Sequence, residues 1–240
     1  MKKTNITIPV SQEHELKGFV LRDESFKGKR PVVLVLHGWT SSTRRFPERV
    51  TPLINMGYVC VMFDMRGHGN TGYDLAPFSR KDHLDDCISA YDYIKKIDDI
   101  DLDNISVLGS SYGSYLATLL STKRDIKRLI LSSPAQYQDE MFDEPQLAQD
   151  AEERRQYRLK SHSERDNKAL KAVKEFKGNI LVIEAENDEQ VPSQVAKDYV
   201  KVGGKKVTHV LIKDADHSFY KGDTNQVMIN ELENWFKELE

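Results

Sequence analysis

The sequence predicts an α/β protein built on one mostly parallel sheet, and three observations carry that prediction. Continuous apolar runs of strand length recur along the chain, as in sheets buried on both faces. Segments of helical period separate them, so parallel neighbours are joined by crossovers and helices cover both faces of the sheet. The third observation is a glycine-flanked turn, Gly109-Ser110-Ser111-Tyr112-Gly113, set between an apolar run and a helical segment.

The elements follow in order. Residues 4–10 and 16–21 alternate apolar with polar positions around Ser11-Gln12-Glu13-His14, which predicts an antiparallel hairpin at a sheet edge. Pro31 opens a buried strand over 32–36, followed by the loop His37-Gly38-Trp39-Thr40-Ser41-Ser42 and a helix to about 56. Residues 58–63 form the next strand and end in Asp64-Met65-Arg66-Gly67-His68-Gly69. A helix over 81–97 puts Leu84, Cys87, Ile88, Tyr91 and Ile94 on one face. Its successors are a strand at 104–108, a helix through 115–120 and a strand at 126–133 stopped by Pro134. Strands at 180–183 and 206–212 bring the predicted sheet to eight. The final helix covers it with Met228, Leu232, Trp235, Phe236 and Leu239.

The chain has 240 residues, a length at which an α/β protein is often one domain, so residues 1–240 are read as a single unit. Hydrophobic residues at 39% and charged residues at 30% describe an ordinary solvated surface. A net charge of -3 gives no electrostatic case for nucleic acid or an anionic membrane. Lys2 and Lys3 are followed by alternation rather than an apolar run, and no stretch reaches membrane-spanning length, so a soluble, cytoplasmic protein is expected. Cys60 and Cys87 lack metal-ligand spacing and read as buried free thiols. The acidic run 98–103 lacks the spacing of an EF-hand loop and reads as a solvated turn; no metal is expected. Oligomeric state is not legible.

Residues 135–177 break the rhythm with dense charge around Glu152-Glu153-Arg154-Arg155. Residues 169–176 read as a crossover helix. For 135–164 two readings stand: a solvated helical connection, or a small helical cap whose inner face (Tyr137, Met141, Phe142, Leu147, Tyr157) shapes a substrate pocket over Ser111.

Ser111 is the candidate nucleophile. A strand that reverses into a helix within a few residues forces the central serine into a sparsely populated backbone region, and small flanking residues let the neighbouring chain pass close by. The serine then stands at the amino end of a helix, where free N–H groups favour developing negative charge.

The loop Asn187-Asp188-Glu189-Gln190-Val191-Pro192 follows the run at 180–183, and Asp216-His217-Ser218-Phe219 follows the run at 206–212. With the serine turn and these two loops in the order serine, acid, histidine, the chain resembles the α/β-hydrolase superfamily. Within it, the chain is similar to the small bacterial carboxylesterases of the cinnamoyl (feruloyl) esterase type, with weaker likeness to dienelactone hydrolases and prolyl-oligopeptidase catalytic domains. The resemblance implies Ser111 as nucleophile and Asp188, in Asn187-Asp188-Glu189-Gln190-Val191-Pro192, as the acid. It implies His217, in Asp216-His217-Ser218-Phe219, as the base. It also implies an oxyanion hole from the backbone N–H groups of Trp39 and Tyr112, where one lost donor costs about 3 to 4 kcal/mol of barrier.

Three positions depart from the family pattern. Ser114 replaces a second glycine after the turn, and Ser41-Ser42 stand where the oxyanion loop often has glycine. Ala185 replaces a glycine in the acid loop, leaving Glu184 and Glu186 as alternative acids. His37 and His68 are read as structural. The implied function is cofactor-free hydrolysis of small carboxylic esters through an acyl-enzyme. A peptidase, amidase or thioesterase is the alternative within the fold, and a non-catalytic binding protein the alternative outside catalysis.

Overall fold

The computed structural model describes residues 1–239. The chain opens with the hairpin β1 (Lys2–Pro9) and β2 (Glu15–Arg22), then β3 (Arg30–Leu36), α1 (Pro47–Asn55), β4 (Val59–Asp64) and α2 (Arg80–Ile94). The turn of interest lies between β5 (Ile100–Ser110) and α3 (Tyr112–Leu120). After them come β6 (Arg128–Ser132), α4 (Ala151–Leu159), α5 (Lys168–Glu175), β7 (Asn179–Ala185), α6 (Ser193–Gly203), β8 (Val207–Ile212) and α7 (Thr224–Lys237).

The eight strands form one sheet in the order β1-β2-β4-β3-β5-β6-β7-β8. β1 and β2 pair antiparallel, and β2 pairs antiparallel with β4; every pairing from β4 to β8 is parallel. The sheet is therefore mostly parallel with an antiparallel start, and this is the α/β-hydrolase arrangement that the sequence predicts.

Strand alternation divides the interior into two cores. Val32, Leu34 and Leu36 of β3 face the core formed with α2, α3, α5 and α6, whereas Val33 and Val35 face the core formed with α1 and α7. Both faces being covered explains why the central strands read as unbroken apolar runs: every residue of β4 and of β6 is buried. Each large aliphatic side chain so buried contributes about 1.5–3 kcal/mol.

One element differs from expectation. β5 begins at Ile100, inside the acidic run read as a turn, and its pairing with β3 shifts register between Arg30 and Val32. Asp99, at φ 63°, makes the turn itself, and the guanidinium groups of Arg22 and Arg30 hold its carboxylate. These two cations fix the turn immediately before the strand, so that pairing with β3 begins at Ile100.

Because β3 to β8 run parallel, the segments after β3, β4, β5, β7 and β8 all leave the sheet at one edge. That edge is where open α/β sheets place their ligands.

Candidate active site

Ser111 adopts φ 52° and ψ -112°, between the last residue of β5 and the first of α3. A backbone held there costs about 1–3 kcal/mol and persists only where its surroundings fix it. Here its N–H donates to the carbonyl of Ser132 at 2.8 Å, and its own carbonyl accepts from the N–H of Ser114 at 3.0 Å. The glycines are needed for space. A Cβ on Gly109 would lie 2.3 Å from the carbonyl oxygen of Gly113, and one on Gly113 would lie 2.1 Å from that of Leu36. Ser114 fits where a second glycine was expected, because its hydroxyl donates to the carbonyl of Gly109 at 2.8 Å.

His217 lies in the loop after β8, and its Nδ1 is 2.6 Å from Oδ2 of Asp188, in the loop after β7. The carboxylate is fixed from its other side. Oδ1 of Asp188 accepts the N–H groups of Gln190 at 2.9 Å and Val191 at 2.8 Å. The carbonyl of His217 accepts from the hydroxyl of Ser133 at 3.1 Å, which ties this loop to the end of β6. With Nδ1 donating to the carboxylate, Nε2 keeps its lone pair free. Glu184 and Glu186 are occupied elsewhere, the first with His209 at 2.8 Å and the second with the N–H of Asp214 at 2.9 Å. Ala185 is buried without diverting the loop from His217.

The loop after β3 is fixed by the residues below it. Nδ1–H of His37 donates to the carbonyl of Gly38 at 2.8 Å, and its Nε2 accepts the N–H of Met65 at 3.0 Å, so both ring nitrogens are used structurally. Asp64 accepts the N–H of Thr43 at 2.7 Å and that of Asn70 at 3.0 Å, anchoring the far end of the loop despite its missing glycine. The Trp39 ring packs edge-on against His68, His83 and Tyr112. Burial pushes His68 down to about 4 and His83 to about 3, so both are neutral at pH 7. Among the described residues, neither the N–H of Trp39 nor that of Tyr112 has an acceptor. Tyr112 is the first residue of α3, where helices leave their N–H groups free.

Ser111, Trp39, Tyr137 and His217 line one cavity of about 530 Å³. The cap segment contributes to its wall, but with different residues from those expected. Tyr137 is present. Met141 and Phe142 are not among the lining residues: the carbonyl of Met141 accepts from Gln149 at 3.2 Å, and Phe142 packs against the core under the ammonium of Lys168. Leu147 is 56% exposed, and Tyr157 stacks on His162 with centroids 3.9 Å apart. The physical reason is that most of 135–150 is irregular chain with no single apolar face. The helix α4 turns Arg154 and Arg158 to the cavity instead.

Five arginines line the cavity, Arg45, Arg49, Arg154, Arg155 and Arg158, together with Gln146, whose buried Oε1 has no donor. Of these the sequence reading marks Arg154 and Arg155, as part of the charged run, and assigns none of the six to a cavity. Their signal was the four-residue spacing of Arg45 with Arg49 and of Arg154 with Arg158, which puts each pair on one side of a helical turn. Among the described residues, no group of three or more His, Cys, Asp or Glu side chains is placed to hold a metal ion.

No protein with curated function is similar to this sequence at a significant level. Solved structures are similar over the whole chain. Est1E from Butyrivibrio proteoclasticus, in its complex with ferulic acid, superposes with a TM-score of 0.77 at 20% identity, covering 97% of this chain and 98% of that one. The acylaminoacyl peptidase of Pyrococcus horikoshii has a TM-score of 0.77 at 19% identity, covering 98% of this chain but 41% of the peptidase. The dipeptidyl peptidase 4 of Porphyromonas gingivalis has 0.72 at 21%, covering 98% of this chain and 35% of the other. These likenesses establish the fold. The family model of the prolyl oligopeptidases matches residues 44–239, well over half of the sequence. The chain thus belongs to the prolyl oligopeptidase family, a group of serine hydrolases on the α/β-hydrolase fold.

Proposed function

We propose that the chain hydrolyses small carboxylic esters through an acyl-enzyme, with Ser111 as nucleophile, His217 as general base and Asp188 as its orienting carboxylate. The observation that carries this reading is the 2.6 Å bond from His217 to Asp188, beside a cavity that Ser111 and His217 line together. A serine hydroxyl is a weak nucleophile until a base takes its proton, and an imidazole is suited to take it and return it to the leaving group. The carboxylate holds the tautomer in which Nε2 is the acceptor and stabilises the imidazolium.

In the first half-reaction, Oγ of Ser111 bonds to the ester carbonyl carbon while its proton passes to Nε2 of His217. The oxyanion is held by the N–H groups of Trp39 and Tyr112. The tetrahedral intermediate then expels the alkoxide, which leaves as the alcohol with the proton from His217. Water, deprotonated by the same imidazole, releases the acid and restores the serine. No cofactor enters this scheme.

A peptidase or amidase is the second reading, favoured by the peptidase structures that share the fold. Against a peptide with a free amino terminus stands the charge of the cavity: an ammonium group entering it meets guanidinium groups and, among the described residues, no lining carboxylate.

The test is hydrolysis of 4-nitrophenyl acetate, butyrate and octanoate and of a methyl hydroxycinnamate, with Ser111→Ala beside the wild type. The reading requires turnover of at least one ester and a loss of about a million-fold in kcat, to background, in the variant. Equal rates in the two proteins, or turnover of peptide anilides with none of esters, would overturn it.

A further inference from the structure

The cavity beside Ser111 differs in charge from the rest of the molecule. The chain carries 38 acidic and 35 basic residues, yet among the described residues five arginines and no aspartate or glutamate line this space. Two buried guanidinium groups elsewhere meet carboxylates: Arg66 binds Asp86 through Nε at 2.6 Å, and Arg30 binds Asp99. Two others, Arg80 and Arg128, are held by the neutral acceptors Gln138 O and Asn104 Oδ1. In the cavity Arg155 faces Glu152 at 3.9 Å, whereas the buried Arg49 and Arg158 have no carboxylate partner among the described residues.

Arg158 is 7% exposed; its Nε donates to the carbonyl of Gln136 at 2.9 Å, and its plane lies 4.7 Å from the Tyr137 ring. Arg49 is 4% exposed and donates to Ser218 O at 2.5 Å and Asn225 Oδ1 at 2.9 Å. Neither forms an ion pair with a carboxylate among the described residues. The guanidinium of Arg154 is half-buried and has neither an ion pair nor a hydrogen-bond acceptor there. Burial pulls the proton affinities of Arg49 and Arg154 below the ordinary arginine range. Behind Tyr137, the fully buried Arg80 adds a further positive charge with two donor nitrogens unpartnered.

Burying a cation without a counter-charge is unfavourable, and a cluster of them repels itself as well. The free energy is recovered when an anion enters, and a planar guanidinium fork is the group best matched to an oxyanion with two equivalent oxygens. Resting on the ester-hydrolase reading above, we infer that the substrate is an anionic ester. It carries a carboxylate or similar oxyanion away from the scissile carbonyl, and Arg154 and Arg158 of α4, with Arg49 of α1, bind that group. The cap segment is then the part of the chain that selects the substrate by charge, while Trp39 and Tyr137 supply apolar walls for its remainder.

Two matched pairs of esters test this and locate the charge. Mono-4-nitrophenyl adipate against methyl 4-nitrophenyl adipate places the carboxylate on the acyl side; 4-acetoxybenzoate against its methyl ester places it on the alcohol side. The wild type is expected to prefer the anionic member of one pair by about tenfold or more in kcat/KM, mainly through KM. Arg154→Gln is expected to remove about that factor from the ratio, and Arg154→Lys to retain part of it. Because Arg154 has no partner among the described residues, its replacement leaves no buried group unsatisfied there, and an unchanged thermal midpoint separates loss of binding from loss of fold.

A wild type that hydrolyses the neutral members as well as the anionic ones overturns the inference and leaves the esterase reading intact. If none of these four esters is turned over, nor any of the esters named above for the wild type, the esterase reading has failed. The anion site is then judged by calorimetric titration of monomethyl adipate into the wild type: saturable binding abolished by Arg154→Gln upholds it, and no binding overturns it.

Discussion

His217 and Arg154 line the same cavity from two kinds of structure. The histidine is held by a carboxylate that itself accepts two backbone N–H groups, while its own carbonyl is tied by Ser133 to the neighbouring strand. The loop carrying Trp39 is pinned in the same manner through His37 and Asp64. Arg154 is held only by the backbone of α4, whose first turn is capped by the carboxylate of Asp150. One wall thus has its polar atoms committed before any ligand arrives, and the other keeps the guanidinium donors of Arg154 uncommitted among the described residues. Groups that act in bond-making need fixed geometry, since misplacement of about 1 Å costs about a hundredfold in rate. Groups that select a ligand need an unsatisfied partner for it, which is what gives a polar contact discrimination.

The most severe way to break that contrast is at the committed wall. Asp188→Asn keeps the shape but places the proton on the wrong imidazole nitrogen, and kcat for an ester substrate is expected to fall about ten-thousandfold. A loss smaller than tenfold, with folding intact, would mean that the carboxylate is not what orients His217. Arg154→Gln, by contrast, is expected to alter the ranking of substrates.

Next in size is the turn that supports Ser111. Gly113→Ala pushes a methyl group into the Leu36 carbonyl, and a destabilisation of about 3 kcal/mol is expected from the denaturant midpoint. An unchanged midpoint would show that the turn relaxes easily and that the strain at Ser111 is not fixed by packing.

The smallest effect concerns the histidines behind Trp39. Burial lowers His68 to about 4 and His83 to about 3 from an ordinary 6.5, and lowers His37 as well. Below pH 6.5 the unfolded chain therefore binds more protons than the folded one, and stability is lost as pH falls toward those values. Asp86 acts in the opposite sense: burial raises it from 3.8 to about 6, so its protonation favours the folded state between pH 6 and 4. With these contributions opposed, the protein is expected to be about 2 kcal/mol less stable at pH 5 than at pH 7 by denaturant titration. His83→Phe should flatten that dependence. A stability that is level or rises on acidification would show these rings to be more accessible to water than their packing implies.

Much of the molecule was legible in the amino-acid order, because the relevant signals are local. Unbroken apolar runs at 32–36 and 58–63 announce strands buried on both faces, and glycines on either side of Ser111 announce a reversal that no side chain would permit. The carboxylate that meets His217 was also legible as a candidate, since the loops after β7 and β8 necessarily leave neighbouring parallel strands at one edge.

The start of β5 was not legible, because cations from β2 and β3, distant in sequence, fix Asp99 in the turn that precedes it and so set where pairing begins. Nor was the inward face of 135–164. A run such as Glu152-Glu153-Arg154-Arg155 places charge all around a helix, so its periodicity does not tell which side meets protein and which meets water. Only the packing of that segment against Tyr137 and α6 turned the arginines toward the cavity. Sequence alone determined the fold and singled out the candidate residues Ser111, Asp188 and His217, which depend on residue type and order. Tertiary structure decided the charge of the cavity, because a guanidinium has the same local signature in solvent as in a wall and differs only in what surrounds it.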